Sequence, residues 1–195
     1  MLAQKDKEIL ELICAEKYRA RGYADFFGWS LDRDIEEWGI VTNLAESMEI
    51  DGKVLFTNLK RRGRGNDPPD CEALDNNGRR IAIEVTELVD GKAIKDYKSS
   101  GIYKWADWNK SKFISFLESI LSRKDSRYPK LKEPPYEGGY IVVIFTDEPM
   151  LNRSVVASYL QGHVFKMSYI TRAFLLMSYD PEIKRCPYYE LTING

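Results

Sequence analysis

The chain has a single histidine, His163, and that scarcity sets the first boundary on its chemistry. Zinc sites built on several imidazoles and histidine-based proton relays both need more. Cysteine is nearly as scarce: Cys14, Cys71 and Cys186 are odd in number and far apart. That spacing suggests neither a disulfide framework nor a zinc site. Long apolar runs are missing too, none approaching the roughly 18 to 20 residues that a bilayer-spanning helix needs, so no membrane partner is expected. Met1 to Glu11 is charged, without the apolar centre of a signal peptide, and a cytoplasmic location is the expectation. An excess of charge of one sign is absent as well. A formal net charge of −1 gives no overall attraction to nucleic acid or to an anionic membrane. Binding of that kind must come from a local patch, and the run Lys60-Arg61-Arg62-Gly63-Arg64 is one.

What the sequence does hold is an ordinary globular balance, 44% hydrophobic and 30% charged over 195 residues, which suits one domain with a substantial core. The most informative stretch runs from Asn66 to Leu88 and reads N-D-P-P-D-C-E-A-L-D-N-N-G-R-R-I-A-I-E-V-T-E-L. It predicts a β-hairpin: a short strand at Cys71 to Leu74, a turn at Asn76-Asn77-Gly78, and a second strand at Arg80 to Thr86 with alternating apolar side chains. Asn-Gly between apolar runs is a strong hairpin signal because both residues tolerate positive φ. Asp70 stands at the mouth of the first strand. Glu84 lies between Ile83 and Val85 on a strand expected to be central, where an unpaired carboxylate is costly. Two acids at the ends of paired strands can converge on one divalent cation.

Taken in order, Lys5 to Ala20 has helical periodicity through Ile9, Leu10, Ile13 and Cys14. Ser30 to Asp32 offers a cap for a second helix carrying Ile35, Trp38, Leu44 and Met48, weakened in its middle by Gly39. A first strand is predicted at Val54 to Thr57. After Leu88 a polar, aromatic segment to Gly101 reads as a loop. Helical periodicity returns from Trp105 to about Arg123, and Pro129 to Gly139 is loop. Tyr140 to Phe145 is a continuous apolar run, expected as a central strand covered on both faces. A helix at Asn152 to Leu160 and strands at Ala173 to Ser178 and Tyr188 to Ile193 complete the chain. The order contains αβββαβ, which predicts an α/β or α+β fold with a mixed sheet flanked by helices. One domain over 1–195 is expected, its core at about 54–145, with a helix-strand-strand extension at the C-terminal end.

Pro69-Asp70, then thirteen residues, then Glu84-Val85-Thr86 on a strand resembles the PD-(D/E)XK nuclease superfamily, whose core is the same αβββαβ order. The resemblance implies a restriction-endonuclease-like fold and Mg²⁺- or Mn²⁺-dependent hydrolysis of phosphodiester bonds in nucleic acid, DNA before RNA. It makes Asp70, Glu84 and the carbonyl of Val85 the metal ligands. The family's third motif residue is a lysine, and here it is Thr86. In this superfamily the lysine can migrate, and Lys124 is the leading replacement. Lys124-Asp-Ser-Arg-Tyr128 is similar to a pattern on the following helix of RecB-like branches, with Tyr128 sharing the Lys124 face if the helix persists that far. Lys92, Lys95, Lys110 and Lys112 are weaker candidates. A first-helix glutamate, Glu8 or Glu11, would complete the site. Lys60, Arg61, Arg62 and Arg64 would hold the phosphate backbone. Many nucleases of this fold cut duplexes as homodimers.

Each residue also has a plainer reading. Asp70 after two prolines caps a turn; Glu84 faces solvent from an edge strand; Lys124 and Tyr128 mark a solvated helix end; the basic run is a loop; His163 is structural. Two other functions stay open. One is a non-catalytic member of the same fold, binding nucleic acid or protein, which Thr86 favours. The other is a small defence or immunity-type protein whose exposed Tyr97, Tyr103, Trp105 and Trp108 form a partner surface.

Overall fold

The structure is a computed structural model, and it describes residues 33–63, 65–100 and 107–195. The helix expected at Lys5 to Ala20 and the cap at Ser30 to Asp32 lie outside these residues. Helix α1 (Arg33–Ile50) runs through Gly39 without a break. A mid-helix glycine costs about 1 kcal/mol, whereas Val41, Leu44 and Met48 are all buried, each worth about 1.5–3 kcal/mol. Burial wins, and the helix continues to the Asp51-Gly52 turn.

The other elements follow as β1 (Thr57–Arg61), β2 (Cys71–Leu74), β3 (Arg80–Glu87), α2 (Gly91–Ser100), α3 (Lys110–Asp125), β4 (Gly139–Thr146), α4 (Arg153–Leu160), β5 (Phe165–Lys166), β6 (Arg172–Met177), β7 (Tyr188–Leu191) and β8 (Ile193–Asn194). Six strands form a mixed sheet in the order β1-β2-β3-β4-β6-β7. Strands β1 to β3 are antiparallel, β3 and β4 are parallel, as are β4 and β6, and β7 returns antiparallel. A parallel neighbour requires a crossover connection, and the segment carrying α2 and α3 supplies it before β4, as α4 does before β6. From the C-terminal segment, β6 completes the pairing of β4.

Alternation along the central strands sorts the core into two layers. Ile81, Ile83, Val85, Ile141, Val143 and Phe174 pack with Leu44 and Met48 of α1. Ala82, Tyr140, Val142, Ile144, Ala173 and Leu175 pack with Leu117 and Leu121 of α3 and Val156 of α4. With both faces covered, β3 and β4 are buried nearly end to end. The class is mixed α/β.

Four expectations need correction. The first strand begins at Thr57 rather than Val54, because β1 is an edge that needs no apolar alternation. Phe56 leaves the ladder and is buried in the core beneath α1, and the edge is built from charged residues that discourage further pairing. The hairpin turn uses positive φ at Gly78 alone, φ +76°. Its geometry is held by Asp75, whose carboxylate accepts from the backbone N–H of Asn77 at 2.9 Å and of Arg79 at 2.8 Å. The segment after Leu88 is not a loop but α2, started by Asp90 Oδ1, which accepts from the N–H of Lys92 and Ala93. The last predicted strand breaks at Thr192, and β8 pairs with β5 in a separate two-stranded sheet. Among the described residues no helix is long and apolar enough to cross a membrane.

Candidate functional site

The prolines before Asp70 lack an N–H, and the β2–β3 ladder ends beside them. Cys71 pairs with Ile83 and Glu72 with Ala82, so one step further Asp70 lies opposite Glu84. Residues opposite each other on antiparallel strands share a face. Asp70 then does what a continuing strand would have done: its Oδ2 accepts from the Val85 N–H at 2.6 Å. Glu84 is wholly buried and Asp70 is 6% exposed, which removes the edge-strand reading of Glu84.

Glu84 shares its face of β3 with Ala82, the face that α3 covers. There the last turn of α3 delivers Lys124, also buried. Its Nζ lies 3.0 Å from Glu84 Oε2 and donates to the Val85 carbonyl oxygen at 2.9 Å. Lys124 is thus no solvated helix end. The Tyr140 hydroxyl lies 2.9 Å from Glu84 Oε2 and 3.1 Å from the Lys124 carbonyl; with one proton, it donates to one of them at a time. Arg127, half-exposed, places a guanidinium nitrogen 3.6 Å from Glu84 Oε1. That oxygen is buried and accepts no hydrogen bond.

Burial pushes the Asp70 carboxyl up to about 7. The Lys124 charge and the Val85 N–H pull against that rise, while Glu37 and Glu84 add to it. Burial also raises the Tyr140 phenol, with the Glu84 charge as the next cause. Glu37 of α1 is thus an acid within electrostatic reach of Asp70. Sequence reasoning looked for such a glutamate at Glu8 or Glu11, both outside the described residues. The available signal was the Glu36-Glu37 pair in the first turns of the helix that packs on β3.

Asp70, Glu84 and the Val85 carbonyl form a set of hard oxygen donors. Among the described residues no cluster of three or more His, Cys, Asp or Glu side chains is arranged to hold a metal. Magnesium, however, takes only one or two carboxylates and keeps several waters. The orphaned Oε1 of Glu84 is the kind of buried atom that a bound cation would satisfy. The Val85 carbonyl, which the resemblance assigns to the metal, accepts from Lys124 here.

The remaining predicted residues divide. Lys60 and Arg61 are exposed on β1, and Arg64 lies outside the described residues. Arg62 is spent: its side chain is 6% exposed and bridges Glu72 at 3.1 Å and Glu133 at 2.8 Å, while Arg80 holds Glu72 from the other side at 2.8 Å. Its charge is neutralised within the fold. Arg62→Ala should lower stability by about 1–2 kcal/mol, a Tm fall of roughly 2–8 °C. Lys60→Ala should stay within about 0.5 kcal/mol of wild type. Thermal melts of the two variants check this, and equal Tm values would refute it.

Tyr128 does not extend the Lys124 face, because α3 stops at Asp125 with Ser126 as its cap. It opens a 3-10 turn, Tyr128–Lys130, and reaches the site through Tyr140, ring to ring at 5.6 Å. Among the alternative lysines, Lys92, Lys95 and Lys110 are exposed, and Lys112 is held by Asp90 at 2.6 Å. Trp108 is not a surface residue: it is buried against Phe113 and Phe116, and its indole N–H donates to Glu148 at 3.0 Å. The side chains of Tyr97, Tyr103 and Trp105 lie outside what is described. His163 packs edge-on against Phe165. Compared with known proteins, the chain matches no family model, no curated protein and no solved structure, so its chemistry is read from the geometry of Asp70, Glu84 and Lys124.

Proposed function

We propose that this protein is a divalent-metal-dependent nuclease of the PD-(D/E)XK type, hydrolysing phosphodiester bonds of nucleic acid, DNA in preference to RNA. The observation that carries the reading is Lys124, which reaches Glu84 and the Val85 carbonyl from α3 where Thr86 offers no amine. The order α1-β1-β2-β3-α2-α3-β4, αβββαβ with one added helix after β3, and a sheet with β3 parallel to β4 support the restriction-endonuclease-like form of the fold.

In this reading Asp70, Glu84 and the Val85 carbonyl would hold Mg²⁺. When bound, the ion supplies Lewis-acid polarisation of the phosphoryl oxygens. The protein's own groups do the rest. Buried Glu84 keeps one carboxylate fixed by the Tyr140 hydroxyl and the Lys124 ammonium. The Tyr140 hydroxyl, on β4, lies within reach of both Glu84 and the Lys124 carbonyl and donates to one of them at a time. The ammonium orients the attacking water or neutralises charge on the phosphate. Lys60 and Arg61 lie exposed for backbone contacts that set affinity without sequence choice.

One observation favours a non-catalytic reading: the ammonium already occupies two of the oxygens that a metal would use. Cleavage assays separate the two. Single-stranded and duplex DNA and RNA are incubated with Mg²⁺ or Mn²⁺ and wild type, Asp70→Asn or Glu84→Gln, with folding of each variant verified by circular dichroism. Wild type should cut, and each variant should be slower by more than about tenfold. A wild type inert on every substrate, or variants cutting as fast as wild type, would leave a binding module instead.

A further inference from the structure

Beside the buried acids an aromatic ladder leads outward. Tyr140, fully buried with its hydroxyl on Glu84, stands 5.6 Å from the Tyr128 ring. Tyr128 stacks on Tyr169 with centroids 4.7 Å apart and planes only 7° from parallel. Tyr169 is 45% exposed. One face of its ring is covered by Tyr128, while the residue as a whole keeps nearly half of its surface open. An exposed tyrosine on a loop ordinarily moves with the loop, but this one is clamped. Asp125, next to Lys124 at the end of α3, accepts from the backbone N–H of Ser168 at 3.0 Å, and from those of Tyr169 and Ile170 at 2.8 Å each. A charged acceptor holding three amides is a strong anchor. The helix end that presents the ammonium therefore also fixes an outward aromatic face.

The adjoining segment is net basic. Residues 123–130 carry Arg123, Lys124, Arg127 and Lys130 against Asp125; Lys124 and Arg127 face Glu84, and Arg123 and Lys130 are exposed. A flat aromatic face beside basic side chains suits a nucleotide, with the base on the ring and the phosphate among the cations. A duplex keeps its bases stacked on one another, so only an unpaired base can lie on such a ring. We propose that the Tyr128–Tyr169 stack is a base platform for single-stranded nucleic acid, holding a nucleotide next to the one whose phosphate enters the Asp70–Glu84–Lys124 site. The proposal rests on the nuclease reading for its geometry, but its binding test does not depend on cleavage.

The test measures binding in EDTA by fluorescence anisotropy, with a labelled single-stranded oligodeoxynucleotide, its duplex, and an abasic strand of equal length. Wild type should bind the single strand more tightly than the abasic strand. Tyr169→Ala should weaken single-strand binding roughly 5- to 100-fold and leave abasic binding unchanged, because stacking on one ring is lost. Tyr169→Phe should remain within about twofold of wild type, since stacking needs the ring and not the hydroxyl. Thermal melts of both variants verify folding. Equal binding of wild type and Tyr169→Ala, or the same loss on the abasic strand, overturns the platform. Duplex cleavage by wild type without Tyr169-dependent binding would also overturn it while sparing the nuclease reading. Tyr169-dependent binding by a protein that cuts nothing would support it while the nuclease reading fails.

Discussion

Lys124→Met is expected to destabilise the fold by about 3–5 kcal/mol, because it leaves Glu84 with a buried charge and no ammonium beside it. For a chain of this length that is a Tm fall of roughly 6–20 °C. Methionine is as good a helix former as lysine, so the loss is not one of helix propensity at the end of α3. Glu84 is wholly buried, one of its oxygens accepts no hydrogen bond, and Arg127 at 3.6 Å is too far for a good one. The double variant Glu84→Leu with Lys124→Met should recover most of the loss, since replacing both partners of a buried pair by apolar groups of similar size is often neutral. The Tyr140 hydroxyl keeps a partner in that variant, the backbone carbonyl of residue 124 at 3.1 Å. Urea denaturation of the two singles and the double gives the coupling energy. A single variant as stable as wild type, or a double as unstable as the sum of its parts, would remove the buried ion pair as an energetic unit. Recovery of stability in a double variant that cuts nothing would mark the pair as retained for the site and not for the fold.

How much of this was legible in the sequence depends on whether a signal was local. The hairpin was, because strand alternation, two prolines and Asn-Gly are all carried by neighbouring residues, and its register brings Asp70 opposite Glu84. The apolar run of β4 was legible for the same reason. Lys124 could be named because Lys124-Asp-Ser-Arg-Tyr128 resembles a known pattern on the helix after such a hairpin, yet its burial against Val85 is a tertiary fact. Misses occur where another segment decides. β1 carries no apolar alternation because it pairs on one side only, and Phe56 is drawn into the core under α1. Arg62 reads as part of a basic patch, but Glu72 and Glu133, the latter 71 residues on, close around it. Trp108 resembled surface until Glu148, 40 residues away, accepted its indole proton. The Tyr128–Tyr169 stack joins residues 41 apart in the chain, and no periodicity in either segment announces it.

Asp70→Asn should stabilise the protein in alkaline solution while abolishing the proposed activity. The ordinary aspartate value is 3.8, and burial raises Asp70 to about 7. Between those values the folded chain keeps a proton that the unfolded chain releases, so this group's contribution to stability falls as pH rises through that window and levels off above about 7. The full span is on the order of 4 kcal/mol. Asparagine is neutral throughout, and its carbonyl oxygen can still accept from the Val85 N–H that Asp70 now holds at 2.6 Å. In EDTA, Tm curves of wild type and Asp70→Asn should therefore nearly meet at pH 4 and separate as pH rises to 8, with the variant higher. Parallel curves, or a wild type that gains on the variant with rising pH, would refute the raised carboxyl. The ionised carboxylate is costly even with the Lys124 charge nearby, and a divalent cation held beside it would offset that cost. Mg²⁺ added at pH 8 should raise the wild-type Tm by preferential binding to the folded state and leave that of Asp70→Asn nearly unchanged, because the instability that the acid introduces is what a bound cation relieves.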